Sequence, residues 1–179
     1  MFKNFPIILI NDFINPSAQE KKDLIKQITA PKIKSNNNDG GAVNTAVDYE
    51  SNSLLDRIYD KYVDTCHEVL KPFTLHHDTS SIAWTYCTND QDTKHVWHNH
   101  TKSSTINSVY YLQIPHCEGN QLEIEYKGNR VDFHPRENDF LIFPNYINHA
   151  PMKPRSKEFR ISINFELLCN EKAEDIFAF

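Results

Sequence analysis

The chain has 179 residues, 39% hydrophobic and 24% charged, with a net charge of −5, a composition that supports a buried core and is ordinary for a globular protein. The acidic balance argues against nucleic acid as the main ligand, the lack of a long apolar run argues against a membrane span, and the start Met1-Phe2-Lys3-Asn4-Phe5-Pro6 has no apolar core of a secretion signal. Cys66, Cys87, Cys117 and Cys169 form no C-x-x-C pair and match no zinc module, which predicts free thiols in a reducing, cytoplasmic setting.

Ile7-Ile8-Leu9-Ile10 predicts an opening strand. Asn15-Pro16-Ser17 reads as a helix start, with Pro16 in the first turn and Ser17 and Glu20 at capping-box spacing. Leu24, Ile25 and Ile28 give that helix one apolar face, and Pro31 lies just past its end. Residues 33–50 include Ser35-Asn36-Asn37-Asn38-Asp39-Gly40-Gly41, polar and without a period, and predict a loop, either a solvated connection or a lid. A second helix follows, in which Leu54, Leu55, Ile58, Tyr59, Tyr62, Val63, Cys66, Val69 and Leu70 recur at three- and four-residue steps. Such a face needs a sheet to cover.

The period then changes to two. Ile82, Trp84 and Tyr86 alternate with small and polar residues, and Ser108–Ile114 is rich in strand formers. Leu122, Ile124 and Tyr126 alternate with glutamates, Lys127-Gly128-Asn129 makes a turn, and Val131 and Phe133 resume the alternation, which reads as a hairpin. Phe140–Phe143 is a strand stopped by Pro144, and Phe159–Leu168 is the longest run. Two helices followed by strands with no helix between them predict an α+β, mainly β fold with antiparallel sheets. The expected organisation is one domain over residues 1–179, helical support at 15–72 and strands at about 80–168.

Two polar patterns stand out. In Val96-Trp97-His98-Asn99-His100, an extended backbone points His98 and His100 the same way. Two imidazoles on one side of a strand suit a divalent metal and leave its other side to a third ligand and to substrate. Nine histidines are present, so an H-x-H pair also arises by chance. In the last strand Phe159, Ile161, Ile163, Phe165 and Leu167 share one face and Arg160, Ser162, Asn164 and Glu166 the other. If the strand is central, that polar face lines a cavity, where the Arg160 fork and the Ser162 hydroxyl suit a carboxylate. If it is peripheral, the face is simply solvated.

Upstream, Asp139-Phe140-Leu141-Ile142-Phe143-Pro144 is followed by His149, five residues after the proline. H-x-H, then V-Y-Y-L-x-I-P, then D-F-L-I-F-P-x-x-x-x-H, then R-x-S-x-N-F resembles the iron(II)/2-oxoglutarate-dependent oxygenase superfamily, and within it the small prolyl-hydroxylase-like group of bacterial and phage proteins, over residues 80–168. The resemblance implies a double-stranded β-helix, or jelly roll, backed by the two N-terminal helices. It implies Fe(II) held by His98, His100 and His149, with His100 standing where most members carry Asp or Glu. It further implies that 2-oxoglutarate is bound by Arg160, helped by Ser162 and Tyr111, with Tyr86 also in reach and Tyr110, which points the other way, as the fallback for Tyr111. Dioxygen is then spent on converting the cosubstrate to succinate and CO2 while a substrate C–H bond is hydroxylated. The substrate stays open between a protein side chain, a nucleotide and a small metabolite.

Two other readings use the same residues. A three-histidine zinc hydrolase or hydratase keeps water in the fourth position, but gives Arg160 and Ser162 no shared task. A cupin-like protein that binds metal or a small acid without catalysis also fits.

Overall fold

The computed structural model describes residues 4–29, 34–35, 43–46, 53–76, 81–91 and 96–178. Helix α1 (Ala18–Thr29) begins at a reciprocal box: Ser17 Oγ and N donate to Glu20 Oε2 (2.7 and 2.8 Å), and Glu20 N–H donates to Ser17 Oγ (3.2 Å). Pro16 therefore lies just before the cap rather than in the first turn, because Ser17 has to stand outside the helix to receive that bond. Helix α2 (Ser53–Val69) buries Leu54, Leu55, Ile58, Tyr62 and Cys66 on one stripe. No helix among the described residues is long and apolar enough to cross a membrane.

Among the described residues there are ten strands, in chain order β1 (Ile8–Ile10), β2 (Lys34–Ser35), β3 (Val43–Ala46), β4 (Ser81–Thr88), β5 (Ile106–Gln113), β6 (Leu122–Tyr126), β7 (Asn129–Phe133), β8 (Phe140–Pro144), β9 (Asn148–Pro151) and β10 (Arg160–Leu167). They form a seven-stranded sheet ordered β1-β8-β5-β10-β4-β3-β2 and a three-stranded sheet ordered β7-β6-β9. A single bridge from His98 to His149 adds one more position on the far side of β9 from β6. From β4 onward the chain passes between the large and small sheets: β4, the His98 segment, β5, the β6–β7 hairpin, β8, β9, β10. All pairings are antiparallel, and this winding is the expected jelly roll.

The outer face of the large sheet meets the helices. Tyr110, Phe140, Ile161, Ile163, Phe165 and Leu167 pack in one cluster with Leu24, Ile28, Leu54, Ile58 and Tyr62. The inner face meets the small sheet through Tyr111, Leu141 and Phe143 against Leu122, Ile124 and Phe133. Strand β10 is central, flanked by β5 and β4, so its polar face looks between the sheets. Arg160, Ser162 and Glu166 are buried there, which excludes a solvated face. Phe165 is fully buried and stacks on Tyr62 at 4.5 Å between ring centroids. Phe165→Ala is expected to cost about 3–5 kcal/mol, the range for emptying a packed aromatic site, read as a lower urea midpoint with an unchanged slope.

Several expectations need correction. The loop expected over residues 33–50 carries β2 and β3, and β3 pairs with β4 at Val43↔Cys87 through Ala46↔Trp84. Main-chain pairing to an open sheet edge overrode a polar composition; the lid reading itself falls on residues outside those described. Strand β9 and a final short helix α3 (Ala173–Ile176) were not expected. Strand β10 has eight residues, no more than β4 or β5. The β6–β7 hairpin turns as anticipated, with Lys127 and Gly128 at φ 49° and 76°. All four cysteines are free, and burial pushes the Cys66 thiol up to about 12.

Candidate metal centre

Two backbone hydrogen bonds set the centre of the site. His98 N–H donates to the His149 carbonyl (3.0 Å) and His149 N–H donates to the His98 carbonyl (2.9 Å). Residues that exchange both bonds lie directly opposite, and their side chains leave the same face. His100, two residues along, returns to that face. Its N–H donates to the Asn145 carbonyl (2.9 Å), and its carbonyl accepts from the N–H groups of Ser103 and Ser104 (3.0 and 3.1 Å). Ring centroids are 4.3 Å apart for His98–His149 and 5.2 Å for each ring to His100. One ring nitrogen from each histidine lies within 4.8 Å of the other two.

The second nitrogen of each ring is committed elsewhere. His98 Nδ1 is 3.1 Å from the Val96 carbonyl and His149 Nδ1 is 3.1 Å from the Ile147 carbonyl. A carbonyl oxygen only accepts, so both Nδ1 atoms carry the hydrogen and both Nε2 atoms keep a lone pair. His100 Nδ1 lies 2.5 Å from Glu166 Oε1. Hydrogen bonds thus engage Nδ1 of all three rings. His149 is 6% exposed. Burial first, then the neighbouring rings of His98 and His100, hold it well below the usual imidazole range, with the Ile147 carbonyl opposing. A neutral ring is the ligating form. His98 is exposed.

Facing the same space is a cross-strand row. Ser162 on β10 pairs with Tyr86 on β4 and with Tyr111 on β5, so the three side chains leave one face side by side. Asn164 Nδ2 is 3.5 Å from Ser162 Oγ. Arg160, one pleat further along, is 3% exposed, and its guanidinium donates to the Asn120 carbonyl (3.3 Å). Burial drives the Tyr111 phenol above its ordinary range despite the opposing pull of Arg160. Tyr111 therefore keeps its hydrogen as a donor. Tyr110 does point the other way, into the helix-facing core, with its hydroxyl on Asn138 Oδ1 at 2.7 Å.

No protein-family model matches the sequence. No curated protein matches it either. Solved structures do match. The prolyl hydroxylase of Trichoplax adhaerens, solved with a hypoxia inducible factor oxygen degradation domain peptide, superposes with a TM-score of 0.66 at 15% identity over 92% of this chain and 84% of that one. The viral collagen prolyl hydroxylase of Paramecium Bursaria Chlorella virus-1, solved with 2-oxoglutarate, gives 0.61 at 13% identity over 91% and 96%. The α-ketoglutarate-dependent carbocyclase SnoK from nogalamycin biosynthesis gives 0.65 at 9% identity over 92% and 79%. The chain has the 2-oxoglutarate oxygenase fold.

In this oxygenase fold the donor set suits the groups that the resemblance implies. Three ring nitrogens gathered within 4.8 Å of one another fit a divalent transition metal such as iron. A buried guanidinium beside serine and tyrosine hydroxyls fits a carboxylate. Three sequence-expected histidines converge, and Arg160, Ser162, Tyr111 and Tyr86 share one face of the large sheet. Of the other histidines, His67 stacks on Phe73 at 4.2 Å, away from this group, and His77 and His95 lie outside the described residues. Sequence reasoning assigned Glu166 no task, although it continues the Arg160-Ser162-Asn164 alternation. That period was the available signal.

Proposed function

We propose that the chain is an Fe(II)- and 2-oxoglutarate-dependent oxygenase that hydroxylates a C–H bond and releases succinate and CO2. The observation that carries this reading is the placement of a three-imidazole group and a buried Arg160–Ser162–Tyr111 surface toward one space between two sheets. His98, His100 and His149 would hold the metal through Nε2. Arg160 pairs with the far carboxylate of the cosubstrate, and Ser162 and Tyr111 donate hydroxyl hydrogens to it. When bound, the iron and 2-oxoglutarate supply the oxidative chemistry with dioxygen. The chain's own residues place these groups and exclude water; none is needed as a general base. Phe143 and Trp84, with ring centroids 5.0 Å from His149 and 6.3 Å from His100, wall the site. Substrate reaches the metal from the side where His98 is exposed, and the similar proteins extend from a peptide-bound prolyl hydroxylase to the SnoK carbocyclase. A three-histidine zinc hydrolase leaves Arg160, Ser162 and Tyr111 without a task.

The test is anaerobic addition of Fe(II) and then 2-oxoglutarate. The expected result is a weak visible charge-transfer band, followed by succinate when air is admitted. A zinc hydrolase gives no band, and a non-catalytic binder gives no succinate beyond the iron-only control.

A further inference from the structure

Glu166 is 6% exposed on the central strand β10, held between β4 and β5 by pairing to Ile82 and Asn107. Its Oε1 lies 2.5 Å from His100 Nδ1. His98 and His149 give their Nδ1 hydrogens to backbone carbonyls; His100 gives its own to a carboxylate. His100 lies on the segment that leads into β5, its N–H fixed to Asn145 just past β8, and Glu166 lies on β10, the strand next to β5.

A carboxylate taken out of water needs a compensating charge. A dication on the opposite nitrogen of the His100 ring provides one. The three imidazoles of the tripod bring no negative charge to such an ion, so a metal bound there keeps its full charge unless another group offsets it. Glu166 is one ring away and rigidly placed.

We infer that Glu166 is a positioning residue for the metal, acting through His100 as a carboxylate–histidine–metal relay that sets which nitrogen faces the ion and offsets the ion's charge. The hydrogen bond locks Nδ1 as the donor, leaves Nε2 as the ligand, and makes that nitrogen a stronger donor. It also ties the position of the His100 ring to the large sheet, so that the ligand from the loop and the cosubstrate-facing row are held on one frame. This inference rests on the three-histidine metal reading and is independent of the cosubstrate.

The test is Co(II) titration of the metal-free protein without 2-oxoglutarate, followed by its visible d–d bands, for wild type, Glu166→Gln, Glu166→Asp and His149→Ala. Glu166→Gln keeps size and an acceptor but removes the charge; Glu166→Asp keeps the charge and withdraws it by one methylene. Loss of about 10- to 100-fold in affinity is expected for Glu166→Gln, with altered bands, a metal-free protein that stays folded by circular dichroism, and a smaller loss in Glu166→Asp. Wild-type affinity and bands in Glu166→Gln overturn the relay. If wild type itself binds no Co(II), or if His149→Ala binds as well as wild type, the three-histidine reading fails and the relay with it.

Discussion

His149→Ala is expected to leave a folded chain that no longer retains metal. His149 is the buried member of the tripod, and its two backbone bonds to His98 do not depend on its side chain. The His98 bridge and the β9 pairing to β6 therefore survive the substitution. One ligand's share of a site worth roughly 10–16 kcal/mol with four ligands is about 3 kcal/mol. At about 1.4 kcal/mol per decade, that is roughly a 100-fold or greater loss of affinity. The true loss is larger if the remaining pair no longer encloses the ion. Metal content after reconstitution and desalting, measured by plasma mass spectrometry beside a circular dichroism spectrum, checks both halves. A fully loaded His149→Ala protein refutes the ligand assignment.

Arg160→Ala is expected to separate cosubstrate binding from metal binding. The guanidinium is buried on a central strand and donates to the Asn120 carbonyl. A carboxylate brought into that space without it would be desolvated with no countercharge. Removing one partner of a buried charge pair costs about 2–5 kcal/mol, roughly 30- to several-thousand-fold in affinity. The tripod is built by the His98–His149 bridge and the Asn145 contact, none of which involves Arg160. Calorimetric titration of the Mn(II)-loaded variant with 2-oxoglutarate should show the weakened binding, and metal content should match wild type. Arg160→Lys should fall between, since it keeps the charge and loses the two-pronged fork. Equal loss of metal in Arg160→Ala would count against its assigned part.

Much of the framework is local and was legible. The Ser17–Glu20 box, the α2 stripe, the Lys127-Gly128 turn and the alternation in β10 each depend on neighbours within a few residues. Strand β9 was not legible. Asn148-His149-Ala150-Pro151 has neither an apolar alternation nor a β-rich composition, and it is a strand because β6 offers a paired edge on one side and His98 on the other. For the same reason β3 hid in a polar run: its pairing to β4 is supplied by an edge about forty residues away.

The order and type of the side chains determined which chemistry the chain carries: imidazoles two apart, a third far downstream, a guanidinium and a hydroxyl on one face of a strand. Side-chain period and residue chemistry are properties of short stretches, and a sequence states them directly. Only the tertiary structure decided that His98 lies opposite His149, that Tyr86, Ser162 and Tyr111 stand in one row, and that Glu166 reaches His100. Those meetings join residues 51 to 76 positions apart. They depend on strand register and on how two sheets face each other, which is settled by burying all the apolar faces at once rather than by any stretch of chain alone.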